Sequence, residues 1–329
     1  MALRTRITEL LGIEHPVVLG GMGSGTSPEL VAAVSEFGGL GIQGGVGRPP
    51  ELLAKLAAEI RERTSRPFGI NLLLFLAAPE HREAVLRLAP PVFSTAWPVP
   101  EDDLKPLFDR AHAAGSRVVH MVNGVPEAVR AAEAGADVIV AQGTEGGGHV
   151  ALMSTLVLTP MVVRAVAPLP VLAAGGIADG AGLAAALMLG AEGVLMGTRF
   201  LATEESPWPA SFKRALIESD GHDTLLSDLT DIAKGNLWPG AYDRLRRNRL
   251  VEDWLGRENE VRRHRAEIAA RMREAVLQDD AENGELNFGQ VAGLIDAIMP
   301  AGEIVRRVVA EAEEVLRARR QVVIDTSPA

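Results

Sequence analysis

The chain has 329 residues, 47% of them apolar and 23% charged, with a formal net charge of −10 and no cysteine. This composition supports a large buried core and excludes a mostly disordered chain. The acidic balance argues against a nucleic-acid or membrane surface; the missing thiols remove disulfides, iron–sulfur clusters, cysteine nucleophiles and thiolate metal sites, and no metal centre is expected.

The opening residues, MALRTRITELLGIEHP, lack the continuous apolar stretch of a signal peptide, and no apolar run is long enough to cross a bilayer. The expectation is a soluble, cytoplasmic protein. Short apolar runs bounded by Gly, Pro, Ser or Asn then follow: PVVLG (16–20), GLGIQ (39–43), FGINLLL (68–74), VFST (92–95), RVVHMV (117–122), DVIVAQG (137–143), PVLAAGG (170–176) and EGVLMGT (192–198). Between them lie Ala- and Leu-rich stretches of helical length, several with Pro or Asp-Gly at the start and Gly at the end. Strands that are apolar throughout are buried on both faces, the mark of a parallel sheet. Eight strands alternating with helices predict an α/β fold, a (β/α)8 TIM barrel, with an open doubly wound sheet as the rival.

After about residue 220 the pattern breaks. Residues 222–288 read as a smaller helical domain covering one mouth of the barrel, with a charged helix near 257–277 that is a candidate homodimer surface. The barrel then comprises 1–221 and 289–329, its tail helix returning to the wall. The basic run Arg244–Arg249 reads as a solvated helix face or as a dock for an acidic carrier protein or a nucleotide phosphate.

Barrel enzymes carry their chemistry at the C-terminal strand ends and often bind phosphate after strands seven and eight. There this chain has Gly175-Gly176 and Gly197-Thr198, where backbone amides can approach an anion closely. The phosphate of a metabolite, a sugar or a flavin mononucleotide would each fit. Gly20-Gly21-Met22-Gly23 after strand one can lie against a planar ring, and Asn71 offers it a donor and an acceptor.

The segments HPVVLGGMG (15–23), RPFGINL (66–72), AGADVIVAQGTEGGGH (134–149), PVLAAGGIADGAGLAAALMLGAEGVLMGTRFLATEES (170–206) and GQVAGLIDAIMPAGEIV (289–305) resemble those of the FMN-dependent nitronate monooxygenases, almost end to end. Similar segments occur in FMN-dependent enoyl-acyl-carrier-protein reductases. The resemblance implies FMN phosphate on Gly175, Gly176, Gly197 and Thr198, and a flavin ring near Gly21, Met22 and Asn71, with Gln142 and Gly143 beside it. It also implies that His149 is the base removing the α-proton of a nitroalkane. Relatives often carry Gln or Lys where this chain has Met121, which cannot donate a hydrogen bond to the flavin; the preceding His120 is a candidate substitute.

His149 follows Gly146-Gly147-Gly148, glycines that let the chain pass closely over a flat cofactor. Its imidazole can take a proton from carbon or donate a hydrogen bond to a nitro oxygen. Glu145 orients His149, or is a solvated loop carboxylate, or caps the next helix. The expected reaction is oxidation of small alkyl nitronates by O2 to a carbonyl compound and nitrite, in an apolar pocket. The rivals are an NAD(P)H-dependent reductase of quinones or enoyl thioesters, and a flavin-binding protein without turnover.

Overall fold

The computed structural model describes residues 3–323. The strands are β1 (Val17–Leu19), β2 (Leu40–Gly44), β3 (Phe68–Leu73), β4 (Val92–Ala96), β5 (Arg117–Val122), β6 (Val138–Gln142), β7 (Gly148–Val150), β8 (Val171–Ala174), β9 (Gly193–Met196), β10 (Thr224–Ser227) and β11 (Tyr242–Arg246). Eight of them, β1 to β6 with β8 and β9, form a closed barrel of parallel neighbours, and β1 meets β9 with Val18 opposite Leu195. These eight coincide with the apolar runs read from the sequence, so the chain is a (β/α)8 barrel.

Alternation along each strand sorts the side chains into two cores. Val18, Ile42, Val92, Val119, Val140 and Leu172 fill the barrel interior, where Ile7 and Leu11 of the helix Arg6–Leu11 join them. Val17, Leu19, Ile70, Phe93, Val118 and Ile139 belong to the outer core shared with the surrounding helices. The tail helix Ala301–Val323 packs against the helices Gly180–Met188 and Pro28–Glu36. A Cβ on Gly180 would come within 2.3 Å of the Ala312 nitrogen, so its glycine permits that close approach. Residues 324–329 of the expected barrel tail lie outside the described residues. Among the described residues no helix is long and apolar enough to cross a membrane.

The region 222–288 is not purely helical. It contains β10 and β11, which with β7 form a three-stranded antiparallel sheet ordered β10-β11-β7. Its helices Leu229–Lys234, Arg249–Trp254 and Glu258–Leu277 close over a small core of Leu229, Leu250, Val261, Ile268 and Met272. The basic run also departs from expectation, because Arg244 and Arg246 lie on β11 rather than on a helix. Arg244 is buried and its guanidinium donates to the Thr144 carbonyl and the Thr224 hydroxyl, while Arg246 pairs with Asp223. Neither is a free docking cation.

Candidate active site

A cavity of about 370 Å³ opens at the C-terminal ends of the barrel strands. Inward-facing positions form its floor: Asn71 on β3, Ser94 on β4, Met121 on β5 and Gln142 on β6. Gly20, Gly21 and Met22 after β1, Gly175 and Gly176 after β8, and Gly197 and Thr198 after β9 line its sides. Residues of 222–288 supply part of the remaining wall, among them Lys234, Asn236, Trp238, Glu285 and Asn287. Of the predicted cofactor residues, Gly21, Met22, Asn71, Gln142, Gly147, Gly148, Gly175, Gly176, Gly197 and Thr198 are therefore gathered at one cavity.

Local geometry explains the glycines. Gly175 and Gly176 have φ of 93° and 72°, the left-handed region where a side chain is strained. At Gly21 a Cβ would lie 2.4 Å from the Asn71 Cβ, so the segment after β1 can close onto β3 only without one. Asn71 donates from Nδ2 to the Ser94 hydroxyl at 3.0 Å, which orients its amide at the cavity floor. The Thr198 hydroxyl accepts from the Gly289 amide at 3.0 Å, tying the returning 289 segment to the rim.

His149 lies on β7, opposite Asp243 of β11, rather than directly on the end of β6. Gly148 before it has φ of 69°, and a Cβ on Gly147 would meet the backbone of Phe288 and Gly289 at 2.5 Å. Glycines here thus let β7 slip under the 288–289 segment as well as border the cavity. The His149 ring is held from two directions. Its Nε2 lies 2.9 Å from Asp231 Oδ2, with side chains 13% and 7% exposed. Its face stacks on Trp238, ring centroids 3.4 Å apart and planes 9° from parallel. Trp238 in turn meets Trp97 edge-on at 5.6 Å and Phe75 at 4.6 Å.

Three predicted positions are placed elsewhere. His120 points to the outer side of β5, as its parity with Val118 and Val122 requires, whereas Met121 faces the cavity. The His120 ring is 1% exposed, lies 2.7 Å through Nδ1 from the Thr95 hydroxyl, and sits beside Phe108. Burial, helped by the Arg130 charge, pushes it down to about 3, so it is neutral and cannot serve a flavin in the cavity. Gly143 is absent from the cavity lining; its amide donates to the Ala174 carbonyl, and a Cβ there would lie 2.0 Å from the Thr155 hydroxyl. Glu145 does not contact His149 but accepts from the Thr155 amide and hydroxyl, capping the helix Thr155–Val166.

A polar wall faces the glycine rim, and its residues carry no motif in the sequence. Asp231 and Lys234 stand three residues apart on the helix Leu229–Lys234, a spacing that places both on one face. Lys234 pairs with Glu285, and Asn287 donates to both oxygens of the fully buried Asp243 at 2.6 and 2.7 Å. Burial, then the Glu285 charge, raises Asp243 well above the usual carboxylate range. Burial would lower Lys234, but Glu285, Asp243 and Asp231 outweigh it and hold the ammonium above its ordinary value. The pocket is therefore not simply apolar. The only hint in the sequence was the pairing of Asp and Lys in LTDIAKG, which looks like any solvated helix face.

The sequence profile of the family described as nitronate monooxygenase matches residues 4–89 and 80–311. The chain is 35% identical over 347 aligned residues to (3aS,4S,5R,7aS)-5-hydroxy-7a-methyl-1-oxo-octahydro-1H-indene-4-carboxyl-CoA dehydrogenase of Mycobacterium tuberculosis, covering 95% of this chain and 97% of that protein. It is 31% identical to a probable nitronate monooxygenase of Staphylococcus aureus, over 78% of this chain and 82% of the relative. The solved structure of FabK from Thermotoga maritima superimposes with a TM-score of 0.87 at 36% identity, over 97% of this chain and 99% of that one. The barrel, the His149 loop and the glycine rim thus stand among oxidoreductases, and the chain belongs to the nitronate monooxygenase family.

Proposed function

We propose that this oxidoreductase binds FMN and oxidises small alkyl nitronates with dioxygen, giving a carbonyl compound and nitrite. The observation that carries the reading is His149, hydrogen-bonded to Asp231 and stacked on Trp238, on the same cavity as the two glycine rims.

The cavity suits the cofactor. Gly175, Gly176, Gly197 and Thr198 would take its phosphate on backbone amides. Gln142 Oε1 is buried with no hydrogen-bond partner among the described residues, an acceptor left for a donor at the edge of a heteroaromatic ring. Gly21, Met22, Asn71, Gly147 and Gly148 would border the ring. When bound, FMN supplies the electron acceptor and the reaction with dioxygen.

The residues of the chain do the rest. His149 takes the α-proton of a neutral nitroalkane or donates to a nitro oxygen of a nitronate. Trp97, Trp238 and Leu73 restrict water and favour a small alkyl group. Residues 222–288 cover the substrate.

FMN-loaded protein should release nitrite and consume oxygen with ethylnitronate or propionate 3-nitronate; background rates with both would remove the reading. A second reading, thioester dehydrogenation or reduction, is favoured by the CoA dehydrogenase at 35% identity and by the polar wall of Lys234, Asn236, Glu285 and Asn287. Rapid anaerobic bleaching of the flavin by NADH or NADPH would select it.

A further inference from the structure

We infer that Asp231 is the positioning residue for His149, and that it makes Nδ1, not Nε2, the nitrogen that exchanges a proton with substrate. The inference deepens the proposed function and rests on His149 as the base.

Nε2 is committed: it lies 2.9 Å from Asp231 Oδ2, and the two side chains are largely closed to solvent. A carboxylate accepts only, so a neutral imidazole must carry its proton on Nε2 and leave the Nδ1 lone pair free. Nδ1 makes no hydrogen bond among the described residues and is not among the buried unpartnered atoms, while His149 itself lines the cavity. Trp238, parallel to the ring at 3.4 Å, blocks the flip that would exchange the two nitrogens. When Nδ1 takes a proton, the imidazolium charge forms beside a carboxylate already in place.

Asp231 is also poorly used as a structural residue. Its Oδ1 is buried with no hydrogen-bond partner among the described residues, so the hydrogen bond to His149 is made by one oxygen while the other stays unbonded. Buried carboxylates that serve only the fold are mostly bonded through both oxygens. Its helix is anchored independently of that side chain, through Leu229 and Ala233 in the small core with Val261 and Ile268.

The test is a long-range proton–nitrogen correlation spectrum of ¹⁵N-histidine holoenzyme, with His149 assigned by its absence in His149→Gln. The expected wild-type pattern is a pyrrole-type Nε2 and a pyridine-type Nδ1. In Asp231→Ala the two signals should move toward averaged values. The same variant should lose about 100-fold in kcat on neutral nitroethane, with a much smaller loss on ethylnitronate and FMN retained. The isosteric Asp231→Asn guards against misfolding and should melt no lower than wild type. A pyridine-type Nε2 in the wild type, or an unchanged tautomer in Asp231→Ala, overturns the inference. If neither nitro compound is turned over, the proposed substrate fails, and the tautomer spectrum still decides the placement of the proton.

Discussion

The imidazole of His149 lies flat on the indole of Trp238, 3.4 Å between centroids and 9° from parallel, although 88 residues of sequence intervene. The barrel loop supplies the titratable ring and the smaller region supplies the surface that holds it. An aromatic pair of this kind contributes about 1 kcal/mol beyond its buried area. Trp238→Leu should therefore lower kcat on neutral nitroalkanes by roughly fivefold, with Trp238→Phe recovering most of it. Steady-state kinetics on both variants check this; equal rates in Trp238→Leu and wild type would mean that the stack does not orient the base.

The two glycines directly before His149, Gly147 and Gly148, should not be equivalent. Gly148 has φ of 69° with open space where a Cβ would go, so Gly148→Ala carries only the left-handed strain, about 1 kcal/mol. At Gly147 a Cβ would press at 2.5 Å on the backbone of Phe288 and Gly289, which must shift. Gly147→Ala should cost about 2 kcal/mol or more. Urea denaturation of the two variants measures the order, and the reverse order would contradict the packing described for β7.

The rim after β8 should decide cofactor retention. Gly176 combines φ of 72° with a Glu145 Cβ only 3.2 Å from where its own Cβ would be. Gly176→Asp adds strain and a negative charge where a phosphate is expected, so the bound flavin per chain after gel filtration should fall at least tenfold. Full flavin occupancy in that variant would move the phosphate elsewhere.

His120 gives a stability signature separate from catalysis. Its folded value of about 3 lies below the ordinary 6.5, so between these limits the unfolded chain binds the extra proton. The stabilisation from neutral, buried His120 is present above about pH 6.5 and is lost as pH falls toward 3. His120→Gln keeps a partner for the Thr95 hydroxyl and removes this proton. Its melting temperature should fall less than that of wild type between pH 7 and pH 4, and parallel curves would show that His120 is not buried and neutral.

Much of this was legible in the chain. Val17 to Met196 could be read as a barrel because doubly buried strands leave long apolar runs between glycines, and Gly175, Gly176 and Gly197 could be placed at the rim from strand count alone. Strand parity was also available: Met121 and His120 are adjacent on β5 and must face opposite sides, so only one could reach the cavity. The smaller region resisted because β7, β10 and β11 are short, half-polar strands, and β7 finds its partner β11 only across a large sequence separation. Asp231 gave only the weak hint of its spacing from Lys234, since its partner is 82 residues away and its local setting is that of a surface helix.

The most direct measurement is nitrite release by FMN-loaded His149→Ala on nitroethane and on ethylnitronate, beside wild type. His149→Ala should lose at least a hundredfold on the neutral nitroalkane and much less on the nitronate, which arrives without the proton His149 removes. Equal losses on both, or none on either, would contradict it.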